Sequence, residues 1–304
     1  MERLTDPAAP IPRPSSTVLL LRDGDGGLEV YMLRRHHKSD VLGGAHVFPG
    51  GKLDHDDCEA DALCRMAAPL ERLHASLGEP GLEPAMAAGL FHAACRETFE
   101  EARVLFGRDV EAGSGRFADA LAGDRAWSML REGIGFGEVL DTLGLAVDVD
   151  ALVPWSRWIT PRVPSMMAGK RFDTRFFVAA LPAGQIAGYD DHEAVDGEWL
   201  SPRVALRRYA ENRITLGPPQ IMSLIQLAGC RSTAEVLEAA RRRRPAVIEP
   251  EPFQLDGARV VCYPGDEHHP LKERAMIGPT RLVQRAGRFE PPEGIDELLR
   301  LAGC

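Results

Sequence analysis

The segment His92–Val104, HAACRETFEEARV, limits the possible folds of this chain more than any other stretch. It holds neither Gly nor Pro and is rich in Ala and charged helix formers, so it reads as a helix. At about 100° per residue, Phe91, Ala94, Cys95, Thr98, Ala102 and Leu105 fall on one mostly apolar stripe. Such a stripe has to be covered, and a sheet suits it. Glu97, Glu100 and Glu101 gather on its flank at spacings of one turn. Like charges so placed cost a helix roughly 0.2–0.5 kcal/mol per pair. A divalent cation removes that penalty, because clustered hard oxygens are what Mg²⁺ takes. A solvated acidic face shows the same pattern, so the choice rests on the residues upstream.

Upstream lies Gly43-Gly44-Ala45-His46-Val47-Phe48-Pro49-Gly50-Gly51-Lys52-Leu53-Asp54, a short apolar run entering a Pro-Gly-Gly break. Glycine permits positive φ and a close approach of backbone to a ligand. A loop of this kind offers carbonyls to a metal or amides to a phosphate. By itself it is a turn.

Taken together the two pieces resemble the signature of the Nudix hydrolases, Gly-x5-Glu-x7-Arg-Glu-U-x-Glu-Glu-x-Gly-U, with U a bulky apolar residue. Gly51 matches the first Gly, Asp57 stands at the first acid, and Arg96, Glu97, Glu100, Glu101 and Val104 match the second half. The chain departs from the pattern three times. Between Asp57 and Arg96 lie 38 residues, about 31 more than the motif has; Thr98 replaces a bulky apolar residue; Arg103 replaces the late Gly. A split box is similar to that of the coenzyme A diphosphatase branch, as are Trp155–Pro161 and Lys170–Phe177.

The resemblance, spanning roughly Ser16 to Gly229, implies an α/β fold: the Nudix α/β/α sandwich with a mixed central sheet, a helical insertion and a C-terminal helix/β extension. The expected division is an irregular arm at 1–15, the catalytic domain at 16–212 with its insertion at 58–86, and the extension at 213–304. The resemblance also implies hydrolysis of a diphosphate aided by Mg²⁺ or Mn²⁺. Glu97, Glu100 and Glu101 and the Gly50 carbonyl are the expected metal ligands, with Arg96 orienting a carboxylate. The general base is Glu193 or one of the helix acids, with Asp191 and Glu198 as further candidates. The branch implies coenzyme A or acyl-CoA as substrate, giving 3′,5′-ADP and a 4′-phosphopantetheine product, with Arg34, Arg35 and Arg171 on the phosphates. ADP-ribose, NADH or a nucleotide sugar, or a non-catalytic sensor on the same fold, are the alternatives.

Composition narrows the classes. Of 304 residues 44% are apolar and 27% charged, as in a folded domain. A net charge of −9 argues against general nucleic-acid binding, which needs a basic footprint. No apolar run approaches the ~18 residues of a membrane helix, and Met1–Pro14 has no apolar core of a signal peptide. The six cysteines include no Cys-x2-Cys pair, which fits a reducing cytoplasm. The expected partner is a phosphorylated small molecule, with a homodimer formed through the last ~90 residues as a further expectation.

Along the chain, 16–22 and 28–34 read as a strand hairpin around Asp23–Gly27, and Arg34–Lys38 as a phosphate-gripping loop. A helix over 61–77 should kink at Pro69. Further helices fall at about 117–131, 137–143, after Ser201-Pro202, at 215–229 and at 232–244. The run Arg241–Arg244 belongs to the last helix's C-terminus, where cations are favoured. Strands are expected at 155–160 and 172–181, then two or three short ones from Gln254 onward. Asp266-Glu267-His268-His269 reads as a solvated turn sooner than a metal site.

Overall fold

The computed structural model describes residues 2–4, 8–37, 43–110, 120–162, 170–192 and 194–303. Its centre is a mixed sheet. Across it the strands run Ala194–Leu200, Gly27–Arg35, Arg13–Gly24, Phe172–Ala180, Val153–Ile159 and Ala246–Ile248. Arg13–Gly24 and Phe172–Ala180 are parallel neighbours, with Thr17 opposite Phe176. Ala246–Ile248 also joins in parallel, and the remaining pairs on this path are antiparallel.

The expected hairpin forms, pairing Leu21 with Val30 and Gly24 with Gly27. Beyond Leu21–Val30 its two strands part. Into the split run His46–Val47 against Arg34–Leu33, and Gly50–Lys52 against Thr17–Ser15. The Val18 N–H donates to the Pro49 carbonyl at 2.9 Å, tying this wedge to the sheet. The Pro-Gly-Gly corner therefore sits between the two central strands.

Alternation along the strands supplies both faces of the sheet. Val18, Leu20, Tyr31, Leu33 and Phe177 point to one side, onto Leu90, Phe91, Ala94 and Cys95 of the motif helix Pro84–Ala102. Leu19, Leu21, Met32 and Val178 point to the other, onto Ile221, Leu224 and Ile225 of helix Pro218–Ala228. The result is the three-layered α/β/α arrangement expected.

The insertion forms two helices, Ala60–Cys64 and Leu70–Leu77, so Pro69 separates them and does not merely kink one. Leu73 and Leu77 pack into the same core as the motif helix. Beyond them the Glu79 carboxylate accepts from Arg175 Nε at 3.0 Å and Nη2 at 2.5 Å, and lies 2.8 Å from Arg157 Nη1. Both arginines stand on central strands.

The chain's two ends differ from expectation. Glu2–Arg3 and Arg13–Gly24 are strands, so the N-terminal arm is not wholly irregular. Glu2–Arg3 adds to the edge of a second, antiparallel sheet with Glu251–Leu255, Ala258–Cys262, Arg281–Arg285 and Arg288–Glu290. The Tyr209 hydroxyl clamps this sheet to helix Pro202–Ala210, donating to the Phe289 carbonyl at 2.7 Å and accepting from its N–H at 2.9 Å. Among the described residues no helix is long and apolar enough to cross a membrane.

Candidate active site

The motif helix begins where Pro84 can occupy its first position without losing a hydrogen bond. It stops at Ala102, two residues short of Val104, because Arg103 turns left-handed at φ 59°, ψ 21°. Its N–H still reaches the Phe99 carbonyl at 2.9 Å. That left-handed cap is the conformation glycine takes at no steric cost, which accounts for a Gly at this point of the motif.

Both glycines of the corner are required by contacts. Gly50 has φ 152°, and a Cβ there would lie 2.3 Å from the Ser16 carbonyl oxygen. A Cβ on Gly51 would lie 2.3 Å from the Glu97 carboxylate. The Gly50 N–H donates to Glu101 Oε2 at 2.7 Å, and Glu101 is buried. Gly50 is thus tied to a helix acid through its amide, a contact separate from the metal ligation expected of its carbonyl.

Arg96 organises the acids. Its Nη1 donates to Glu97 at 3.0 Å and to Glu100 at 2.9 Å. Nε and Nη2 form a fork onto Asp57, at 3.0 and 2.9 Å, and Nη2 also reaches the Lys52 carbonyl at 3.1 Å. Asp57 is buried and accepts further from His92 Nδ1 at 2.7 Å and from the Asp54 N–H at 2.9 Å. Burial alone would push its carboxyl up; the hydrogen bonds from His92 and Arg96 outweigh that and hold it at about 2. The same carboxylates raise the Arg96 guanidinium further above its ordinary value against the opposing effect of burial.

Among the described residues no three His, Cys, Asp or Glu side chains already stand as a metal cage. The donor set nevertheless suits a hard divalent cation: Arg96 Nη1 holds Glu97 and Glu100, and the Gly50 N–H holds Glu101 on the same helix. A cation between them would replace the charge that Arg96 now supplies to Glu97 and Glu100.

Glu193 lies outside the described residues. Of its neighbours, Asp191 is exposed, and Glu198 is paired with Arg208 at 2.6 Å and sits 3.7 Å from His46. Burial lowers the His46 imidazole toward neutrality. Arg34 and Arg35 stand at the wedge end of their strand, but successive residues face opposite ways. Arg35 shares the motif-helix face with Leu33, whereas Arg34 shares the opposite face with Met32 and His46. Arg171 does not join them. It is buried, donates to the Thr160 and Pro10 carbonyls at 2.9 Å each, and lies 3.4 Å from Glu249.

Sequence reasoning missed the Asp57–His92 bond. His92 stands one helical turn before Arg96 (spacing i, i+4), and that spacing was the available signal. The histidines of the C-terminal turn are structural: His269 Nε2 lies 3.0 Å from the Glu249 carbonyl, and the buried Asp266 holds Arg281.

A family model described as the NUDT19 Nudix domain matches residues 84–227, starting at the first residue of the motif helix. The chain is similar to the acyl-coenzyme A diphosphatase NUDT19 of Xenopus laevis, 26% identical over 307 residues, covering 86% of this chain and 79% of that protein. It is 29% identical over 279 residues to the Homo sapiens protein of that name, covering 79% and 72%. A crystal structure of a Nudix hydrolase from Alicyclobacillus acidocaldarius superposes with a TM-score of 0.57 at 27% identity, covering 78% of this chain and 99% of that one.

Proposed function

We propose that this chain is a Nudix hydrolase and that it cleaves the diphosphate of coenzyme A or acyl-CoA with the help of a divalent cation, Mg²⁺ or Mn²⁺. The observation that carries the reading is that Arg96 holds Glu97 and Glu100 while the amide of Gly50, at the glycine corner, holds Glu101. The relatives' name, acyl-coenzyme A diphosphatase, supports the choice of substrate.

In this reading Glu97, Glu100 and Glu101, with the Gly50 carbonyl, would hold the cation, which would neutralise phosphate charge and make water a better nucleophile. Arg96 keeps two of the carboxylates aligned, and the Gly50 N–H fixes the third. Water attacks one phosphorus, the bridging P–O bond breaks, and the second phosphate leaves with the bridging oxygen. The proton passes to a carboxylate, Glu193 or a helix acid. Arg35, on the motif-helix face, is the arginine best placed for a substrate phosphate.

The test is product analysis with CoA, an acyl-CoA, ADP-ribose, NADH and a nucleotide sugar, each with Mg²⁺. The expected result is 3′,5′-ADP and a phosphopantetheine product from the CoA compounds, at higher kcat/KM than any other substrate. Glu101→Gln, whose amide oxygen still accepts from Gly50, should remain folded and lose at least about 10²-fold in kcat, as when one charge-stabilising group is removed. A preference for ADP-ribose would overturn the substrate, and a fully active Glu101→Gln would overturn the site.

A further inference from the structure

His92 is outside the motif, yet it is tied to the carboxylate at the motif's first acid position. Its ring is buried, with Nδ1 2.7 Å from Asp57 Oδ1. Since that carboxylate is ionised, Nδ1 carries the proton and donates. The other ring nitrogen, Nε2, is buried with no hydrogen-bond partner among the described residues, so the histidine's polar contact is spent on Asp57. Phe136 meets the ring edge-on at 5.5 Å and fixes its plane.

Asp57 needs such a support. It is one methylene shorter than the Glu of the motif and stands on a single 3₁₀ turn, His55–Cys58, just where the insertion begins. Its Oδ1 takes both His92 Nδ1 and Arg96 Nε, and its Oδ2 takes Arg96 Nη2 and the Asp54 N–H. A carboxylate with four donors cannot rotate freely, and a guanidinium forked onto it must lie in its plane. The nitrogen left over, Nη1, then points at Glu97 and Glu100.

We infer that His92 is a positioning residue: by locking Asp57 it sets the plane of Arg96, and Arg96 sets the two glutamates. The catalytic half of this inference rests on the proposed function; the geometric half does not.

Three full-length variants test it. His92→Phe keeps the edge-on packing and removes the donor. His92→Asn returns a donor near Nδ1. His92→Gln carries its amide one bond further out and is read like His92→Phe should that variant fail to fold. In metal-free protein the Arg96 Nε–H resonance should exchange slowly in the parent and in His92→Asn, and faster in His92→Phe. In the active enzyme His92→Phe should lower kcat by about 10–100-fold, as losing a group that orients metal-holding residues does. KM for the substrate should change little, the Mg²⁺ needed for half-activity should rise, and His92→Asn should recover most of the loss.

Unchanged Arg96 exchange in His92→Phe overturns the inference, whether or not any substrate is turned over. So does a kcat loss equally deep in His92→Asn, which would make His92 a packing residue. If the parent hydrolyses none of the substrates, faster exchange in His92→Phe still supports the positioning role while the proposed function falls on its own.

Discussion

Arg103 lies with its guanidinium carbon 4.5 Å from the Trp127 ring centroid while its own backbone is left-handed. A residue that strains the helix end thus also ties that end to helix Ala120–Arg131. The two contributions can be separated. Arg103→Gly removes the strain and the stacking together; Arg103→Ala removes only the stacking. Urea unfolding should place the Gly variant above the Ala variant by about 1 kcal/mol. The Gly variant should lie within about 1 kcal/mol of the parent, since the strain relieved offsets a half-buried cation–π contact of roughly 0.5–2 kcal/mol. Equal stability of the two variants would refute the backbone argument.

The two corner glycines should fail in different ways. In Gly50→Ala the new Cβ meets backbone, the Ser16 carbonyl at 2.3 Å and Thr17 Cα at 2.6 Å, which cannot yield. A loss of about 2 kcal/mol or more is expected in denaturant unfolding. In Gly51→Ala it meets the end of the Glu97 side chain, which can swing away. Stability should then fall by less than about 1 kcal/mol, while turnover collapses because Glu97 leaves the corner. Comparable stability for the two variants would count against the described wedge.

Asp57 couples the site to acid stability. Its folded value of about 2 is below the ordinary 3.8, so its contribution is complete above pH about 4 and is lost as the pH falls toward 2. Nearly two pKa units correspond to about 2 kcal/mol. Asp57→Asn should be less stable than the parent at neutral pH, and the gap should close between pH 4 and 2 in metal-free unfolding measurements. A gap independent of pH would mean that the folded protein does not hold the Asp57 carboxyl below its ordinary value.

Glu79 should hold the insertion down. Its side chain is only 10% exposed and faces Arg175, which is 4% exposed. Arg175 also keeps the Asp173 carboxylate at 2.9 Å, so losing Glu79 leaves its charge only partly compensated, at a cost of about 2 kcal/mol, below that of an isolated buried pair. Glu79→Gln should lower overall stability by that amount, and amide exchange in Leu70–Leu77 should quicken most. Exchange unchanged in that helix would show that its apolar contacts suffice.

What local spacing encodes was readable in the residues. Glu97, Glu100 and Glu101 share a helix flank because they are a turn apart, and the Asp23–Gly27 turn forces the strands beside it to pair. Gly50 was recognisable because no other residue adopts its positive-φ backbone so cheaply, whereas the need for Gly51 comes from Glu97 across the corner. Arg34 and Arg35 were read as one basic loop, although strand alternation sends them to opposite faces. Arg171 resembled a substrate arginine and is instead sealed between carbonyls that come from positions 10 and 160.

The sequence by itself determined that an acidic helix and a glycine corner would exist, because a helical turn and a positive φ are properties of a few consecutive residues. Only the tertiary structure decided that Asp57 lies beneath Arg96 with His92 behind it, and that Glu101 is held by the Gly50 amide. Those partners are 35 to 51 positions apart, and packing the motif helix onto the split sheet is what brings them within hydrogen-bonding distance.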